Sequence, residues 1–203
     1  RNSCQVPGLI LDSVTCERCL SMNSSDNLPY AVAPDEKVAQ LMLYTSTGLY
    51  WGEFVAKESI RVSTILRTSV APEVICLHNA RSLMSSQSGK PRPQIHSEIH
   101  IFTPQVLAYH LLPPQQDPLD YDPTEPNRLM DPVTIQVGSF CLNGHMRIST
   151  ISSLGKYLEV TREAFTPVYD VEITNSSLPD MGAMKVSYVL VRQNSVVFTK
   201  KAV

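Results

Sequence analysis

An internal repeat constrains this chain more than any other feature, because each unit must bury an apolar face that the whole chain shares out. Residues 40–68 and 133–160 carry the same succession of patterns at a constant spacing of 92: Gly52 matches Gly144, Val62 matches Leu154, and Leu66 matches Leu158. Further on, the stretch from Glu73 to Asn79 parallels Pro167 to Ile173, and His96 to Leu107 parallels Val186 to Val197. The elements come in one order twice.

Each unit shows the same local physics. Leu41 and Leu43 alternate with their neighbours up to a turn at Ser46-Thr-Gly48, and a second strand follows through Trp51-Gly52-Glu53-Phe54-Val55. A glycine inside a strand marks a bulge or a close backbone approach. Val62, Ile65 and Leu66 lie at i, i+3 and i+4, one face of a short helix. A third strand follows the Ala71-Pro72 break. The fourth alternates Ile95, Ile99 and Ile101 against His96, Glu98 and His100, the period of a half-buried strand. Thr103-Pro104 turns the chain into a fifth strand, Val106 to Tyr109. Five short strands and one helical turn in so few residues predict an all-β chain of two tandem small five-stranded barrel-like units, SH3- or Sm-like, because closure removes exposed edges.

The predicted organisation is an N-terminal extension over 1–38, a first barrel over 39–111, a linker over 112–131 and a second barrel over 132–203. The stretch 113–132 holds six prolines and five acids. Each proline deletes a backbone donor and disfavours helix in the residue before it, so the segment reads as extended, with its acids hydrated. Leu119, Tyr121, Leu129 and Met130 are its apolar exceptions, placed to pin it onto a barrel or a partner subunit.

At 43% hydrophobic and 18% charged, with a net charge of −2, the chain has enough apolar content for real cores. The first unit carries six basic and four acidic residues, the second seven and five. Such a small surplus argues against nucleic acid as the main partner, although small barrels do bind it through aromatics in basic grooves. Tyr44, Tyr50, Trp51 and Phe54 in the first hairpin read as core and inter-barrel contact. No apolar run approaches the roughly 20 residues of a membrane-crossing helix.

The five cysteines are Cys4, Cys16, Cys19, Cys76 and Cys141. An odd number at irregular spacing is a poor disulfide framework, which favours a reducing, cytoplasmic setting. Cys76 and Cys141 lie in apolar runs and read as small core residues. Cys16-Glu-Arg-Cys19 with Cys4 upstream is the sharpest local constellation: two thiolates at that spacing grip one zinc ion, and a closed structural site needs two further ligands. Cys4, Cys16 and Cys19 are therefore the candidate metal ligands, with structural zinc as the cofactor they imply. His96, Glu98 and His100 would present two imidazoles and a carboxylate to a metal, but the reading adopted is the solvent face of an amphipathic strand. No nucleophile elbow, phosphate loop or dinucleotide fingerprint is present.

Gly52, the run Arg61-Val-Ser-Thr-Ile-Leu66, the strand Tyr169-Asp-Val-Glu-Ile173 and the strand Val186-Ser-Tyr-Val-Leu-Val-Arg192 together resemble a family of small uncharacterised bacterial all-β domains, present twice in tandem. The resemblance covers about two-thirds of the chain, and it implies a fold and no chemistry. The expectation is a non-enzymatic structural or protein–protein interaction module that binds a protein partner or self-associates. The alternatives are a nucleic-acid-binding barrel pair and a metal-bearing protein using the N-terminal cysteines.

Overall fold

The computed structural model describes residues 29–68, 71–84, 92–113, 115, 117–118, 120–178 and 181–200. The protein is all-β. Its first half runs β1 (Glu36–Tyr44), β2 (Gly48–Lys57), a 3-10 turn (Val62–Arg67), β3 (Val74–Met84), β4 (Gln94–Phe102) and β5 (Ala108–Leu111). The second runs β6 (Arg128–Val137), β7 (Phe140–Ser149), α1 (Leu154–Val160), β8 (Phe165–Asn175), β9 (Met184–Arg192) and β10 (Val197–Thr199).

All ten strands form one antiparallel sheet in the order β10-β6-β7-β8-β9-β5-β1-β2-β3-β4. The halves share one internal order, with the fifth strand beside the first, then the second, third and fourth. A bulge follows Trp51 where β2 meets β3, and another follows Asn143 where β7 meets β8. Asn79 and Asp170 stand opposite these bulges with φ of 45° and 50°, a left-handed conformation that Asn and Asp tolerate. The third strands therefore correspond at a spacing of 91, and the sequence pairing of Glu73 with Pro167 is corrected by three residues.

The expected pair of separately closed barrels is not what forms. The sheet runs unbroken from one half to the other, because β5 pairs with β1 on one side and with β9 on the other. Side-chain polarity explains this. In the first half Leu41, Leu43, Phe54 and Ala56 join one core, while Met42, Tyr44, Leu49 and Trp51 on the opposite face join the core of the second half. The matching positions of the second half are Thr134, Gln136, Cys141 and Asn143, which stay exposed or half-buried. In return Phe165, Tyr169, Tyr188 and Leu190 of β8 and β9 pack into the first core. Tyr44 meets Phe140 edge to face at 4.9 Å, and Tyr109 meets Phe165 at 5.1 Å. Each half covers the core of the other, so neither needs to close on itself.

The Pro-rich stretch departs from its expected boundary and from its expected hydration. β6 begins at Arg128 and runs through Pro132, which is tolerated because β10 reaches only Thr134 to Gln136 and leaves that part of the edge open. Between Leu111 and Arg128 the described residues form no regular element. The acids there are engaged: Asp117 accepts from the Ser63 amide at 3.0 Å, and Asp120 accepts from Arg67 at 2.9 Å and from the Tyr169 hydroxyl at 2.6 Å. Glu125 binds Arg128 and Arg147, and Asp131 binds Lys200. Of the apolar exceptions, Tyr121 and Met130 pack on the first core, Leu129 is exposed, and Leu119 lies outside the described residues. Asp120→Ala leaves the buried Tyr169 phenol without its acceptor and Arg67 with Glu163 alone, and is expected to cost about 2 kcal/mol. Urea titration measures it, and an unchanged midpoint would show that the segment does not clasp the two halves.

Candidate functional site

Among the described residues, a cleft between the halves and a free edge of the sheet are available for binding. The cleft has a volume of about 240 Å³ and is lined by Ser63, Tyr109 and His110 from the first half, Lys185 and Tyr188 from the second, and Asp117 from the connecting segment. The Ser63 Oγ and the Tyr188 hydroxyl are buried there with no hydrogen-bond partner among the described residues. His110 is fully enclosed, and burial pushes its pKa down to about 4 against a weaker opposing effect of the Leu111 carbonyl. That carbonyl lies 2.8 Å from Nδ1 and can only accept a hydrogen bond, so Nδ1–H donates to it and, in the neutral ring, Nε2 accepts from the Tyr44 hydroxyl at 3.0 Å. Both ring nitrogens are committed to the fold. The cleft is smaller than typical small-molecule sites, and its imidazole has no free nitrogen for proton transfer.

The sheet edge is the second feature. β4 pairs with β3 along one side from Phe102 back to Gln94 and, among the described residues, has no strand on the other. Ile95 is 78% exposed and Phe102 60%, while Ile101 is buried and Ile99 packs on the first core. The strand contains no lysine, proline or bulge, the usual devices that blunt an edge. At the other end of the sheet β10 has three residues, followed by Lys200.

The chain matches no protein-family model, no curated protein and no solved structure. The proposed ligands Cys4, Cys16 and Cys19 lie outside the described residues. Cys76 and Cys141 are half-buried rather than core residues, because both fall on the face of their strand turned away from the core. The histidine–glutamate–histidine face of β4 divides. His96 Nε2 meets Ser82 Oγ at 2.9 Å, whereas Glu98 and His100 lie together further along the strand. Tyr44, Trp51 and Phe54 are buried, so they offer no stacking surface to a nucleic acid base. No helix among the described residues is long and apolar enough to cross a membrane.

Proposed function

We propose that this protein is a non-enzymatic interaction module of two five-stranded β units, which associates by adding a strand to the β4 edge, and that the strand it takes is β4 of a second copy. The unguarded nine-residue edge with Ile95 and Phe102 exposed carries the reading. Strand addition supplies main-chain hydrogen bonds, and alternate side chains supply the selectivity. The fold already uses this device once, where β5 joins the second half to the first. An antiparallel β4–β4 contact places the same surface on both subunits, the closed two-fold arrangement that most homodimers adopt. The short β10 edge ending in a lysine favours β4 over the opposite end of the sheet.

Sedimentation velocity tests this with the intact chain and with the double variant I95K/F102K. The native protein is expected to sediment as two chains and the variant as one, with unchanged circular dichroism because both side chains are exposed. A native protein that stays a single chain at high micromolar concentration would overturn the reading, as would a variant that still dimerises.

A further inference from the structure

Glu98 and His100 on the outer face of β4 are joined there by two residues of β3. Cys76 stands directly opposite His100, and His78 directly opposite Glu98. Opposed residues on one face of an antiparallel pair carry their Cβ atoms about 5 Å apart, so the four side chains share one small area. One donor atom each from Cys76, Glu98 and His100 falls within 4.8 Å of the other two. Glu98 lies 3.4 Å from His100 Nε2 through one oxygen and 3.3 Å from His78 Nδ1 through the other. The second nitrogen of His78 lies 3.7 Å from the Cys76 sulfur.

The repeat makes this composition conspicuous. The corresponding face of the second half carries Pro167, Tyr169, Tyr188 and Leu190, three of which pack into the first core. The first half has thiol, imidazole and carboxylate groups in their place, and these four residues join neither core. His78 is further held by Tyr30, whose ring stacks on it at 3.9 Å and whose hydroxyl donates to Glu53 at 2.9 Å.

We infer that the outer face of β3 and β4 binds one zinc-like divalent transition-metal ion through Cys76 Sγ, the Glu98 carboxylate and His100, with His78 as the positioning residue. A sulfur, nitrogen and oxygen donor set suits zinc or cobalt and disfavours magnesium and calcium, which take oxygen alone. A tetrahedral ion with bonds of about 2.0–2.3 Å holds its donors roughly 3.3–3.7 Å apart, so small side-chain rotations close the site. Three protein ligands leave the fourth position to water. Metal binding displaces the Cys76 proton to solvent, forming the metal–thiolate bond. Because the thiol must lose its proton to bind, affinity rises with pH. His78, with Nδ1 3.3 Å from the other Glu98 oxygen, orients that ligand, the role of an outer-sphere partner.

Cobalt(II) serves as the probe, in the 203-residue chain carrying C4S/C16S/C19S so that Cys4, Cys16 and Cys19 contribute nothing. One equivalent is expected to bind with a near-ultraviolet thiolate-to-cobalt absorption band and release of a proton. C76S is expected to abolish the band, and C141S to leave it intact. H100Q and E98Q alter exposed side chains, so folding is not at stake, and each is expected to weaken binding at least tenfold. H78Q is expected to weaken it by about 10–100-fold while the band persists. Absence of binding, a band that survives C76S, or affinity indifferent to H100Q would overturn the inference. None of these readouts depends on β4 pairing with a second copy.

Discussion

Gly52→Ala and Gly144→Ala are each expected to destabilise the protein by about 3 kcal/mol, the upper part of the range for overpacked sites, whereas Gly155→Ala is expected to stabilise it by about 0.5 kcal/mol. A Cβ at position 52 would stand 2.7 Å from the His78 carbonyl oxygen and 2.9 Å from the Ala80 Cα. At position 144 it would stand 2.8 Å from the Tyr169 carbonyl oxygen. The neighbours in both cases include backbone beside a bulge, which moves only if the sheet moves. Gly155 lies near the start of α1 with nothing within 4 Å, so a methyl group there only restricts the unfolded chain. Chemical denaturation of the three variants decides the matter. Equal small effects at all three positions would show that the bulges are not close backbone approaches, and a large effect at only one would show that the two halves do not share the feature.

Acid is expected to remove about 3 kcal/mol of stability through His110 alone, as pH falls from about 6.5 to about 4. The folded-state pKa of this imidazole is depressed to about 4, below its value of 6.5 in an unfolded chain. Between those values the unfolded chain takes up a proton that the native chain refuses. The contribution is therefore complete above pH 6.5 and is lost as pH falls through the folded value. Carboxylates titrate in part of the same interval, so the measurement is a difference between native protein and His110→Gln. Glutamine can still donate to the Leu111 carbonyl and accept from Tyr44. The stability gap between the two proteins is expected to shrink by about 3 kcal/mol from pH 7 to pH 4. Parallel pH profiles would show that His110 is not held neutral.

Much of the local structure was legible along the chain. Leu41 and Leu43, the i, i+3, i+4 set of Val62, Ile65 and Leu66, and the prolines from Pro113 to Pro126 speak through period and backbone chemistry, which act over a few residues. Val62, Ile65 and Leu66 are all buried where that spacing places them. Gly52 and Gly144 announced a special backbone position for the same local reason. A non-local signal lies in Leu41-Met-Leu-Tyr44, which is apolar on both faces, as a strand covered on both sides must be.

The sequence by itself thus determined the all-β character of the chain, the buried turn at Val62, Ile65 and Leu66, and the special backbone positions at Gly52 and Gly144. The tertiary structure alone decided how the edges are paired. Any strand edge offers the same row of amides and carbonyls, so the choice between closing on β4 and joining β9 rests with which apolar faces can cover one another. The same holds for the side-chain clusters. Cys76 sits between Ile75 and Leu77 and reads locally as a core residue, yet register places it opposite His100. Asp120 reads as a hydrated acid until Arg67 and Tyr169, more than forty positions away on either side, arrive beside it. Charge and donor chemistry are written in the sequence, but the distance between two groups is set by the fold, and electrostatic and coordination energies depend on that distance.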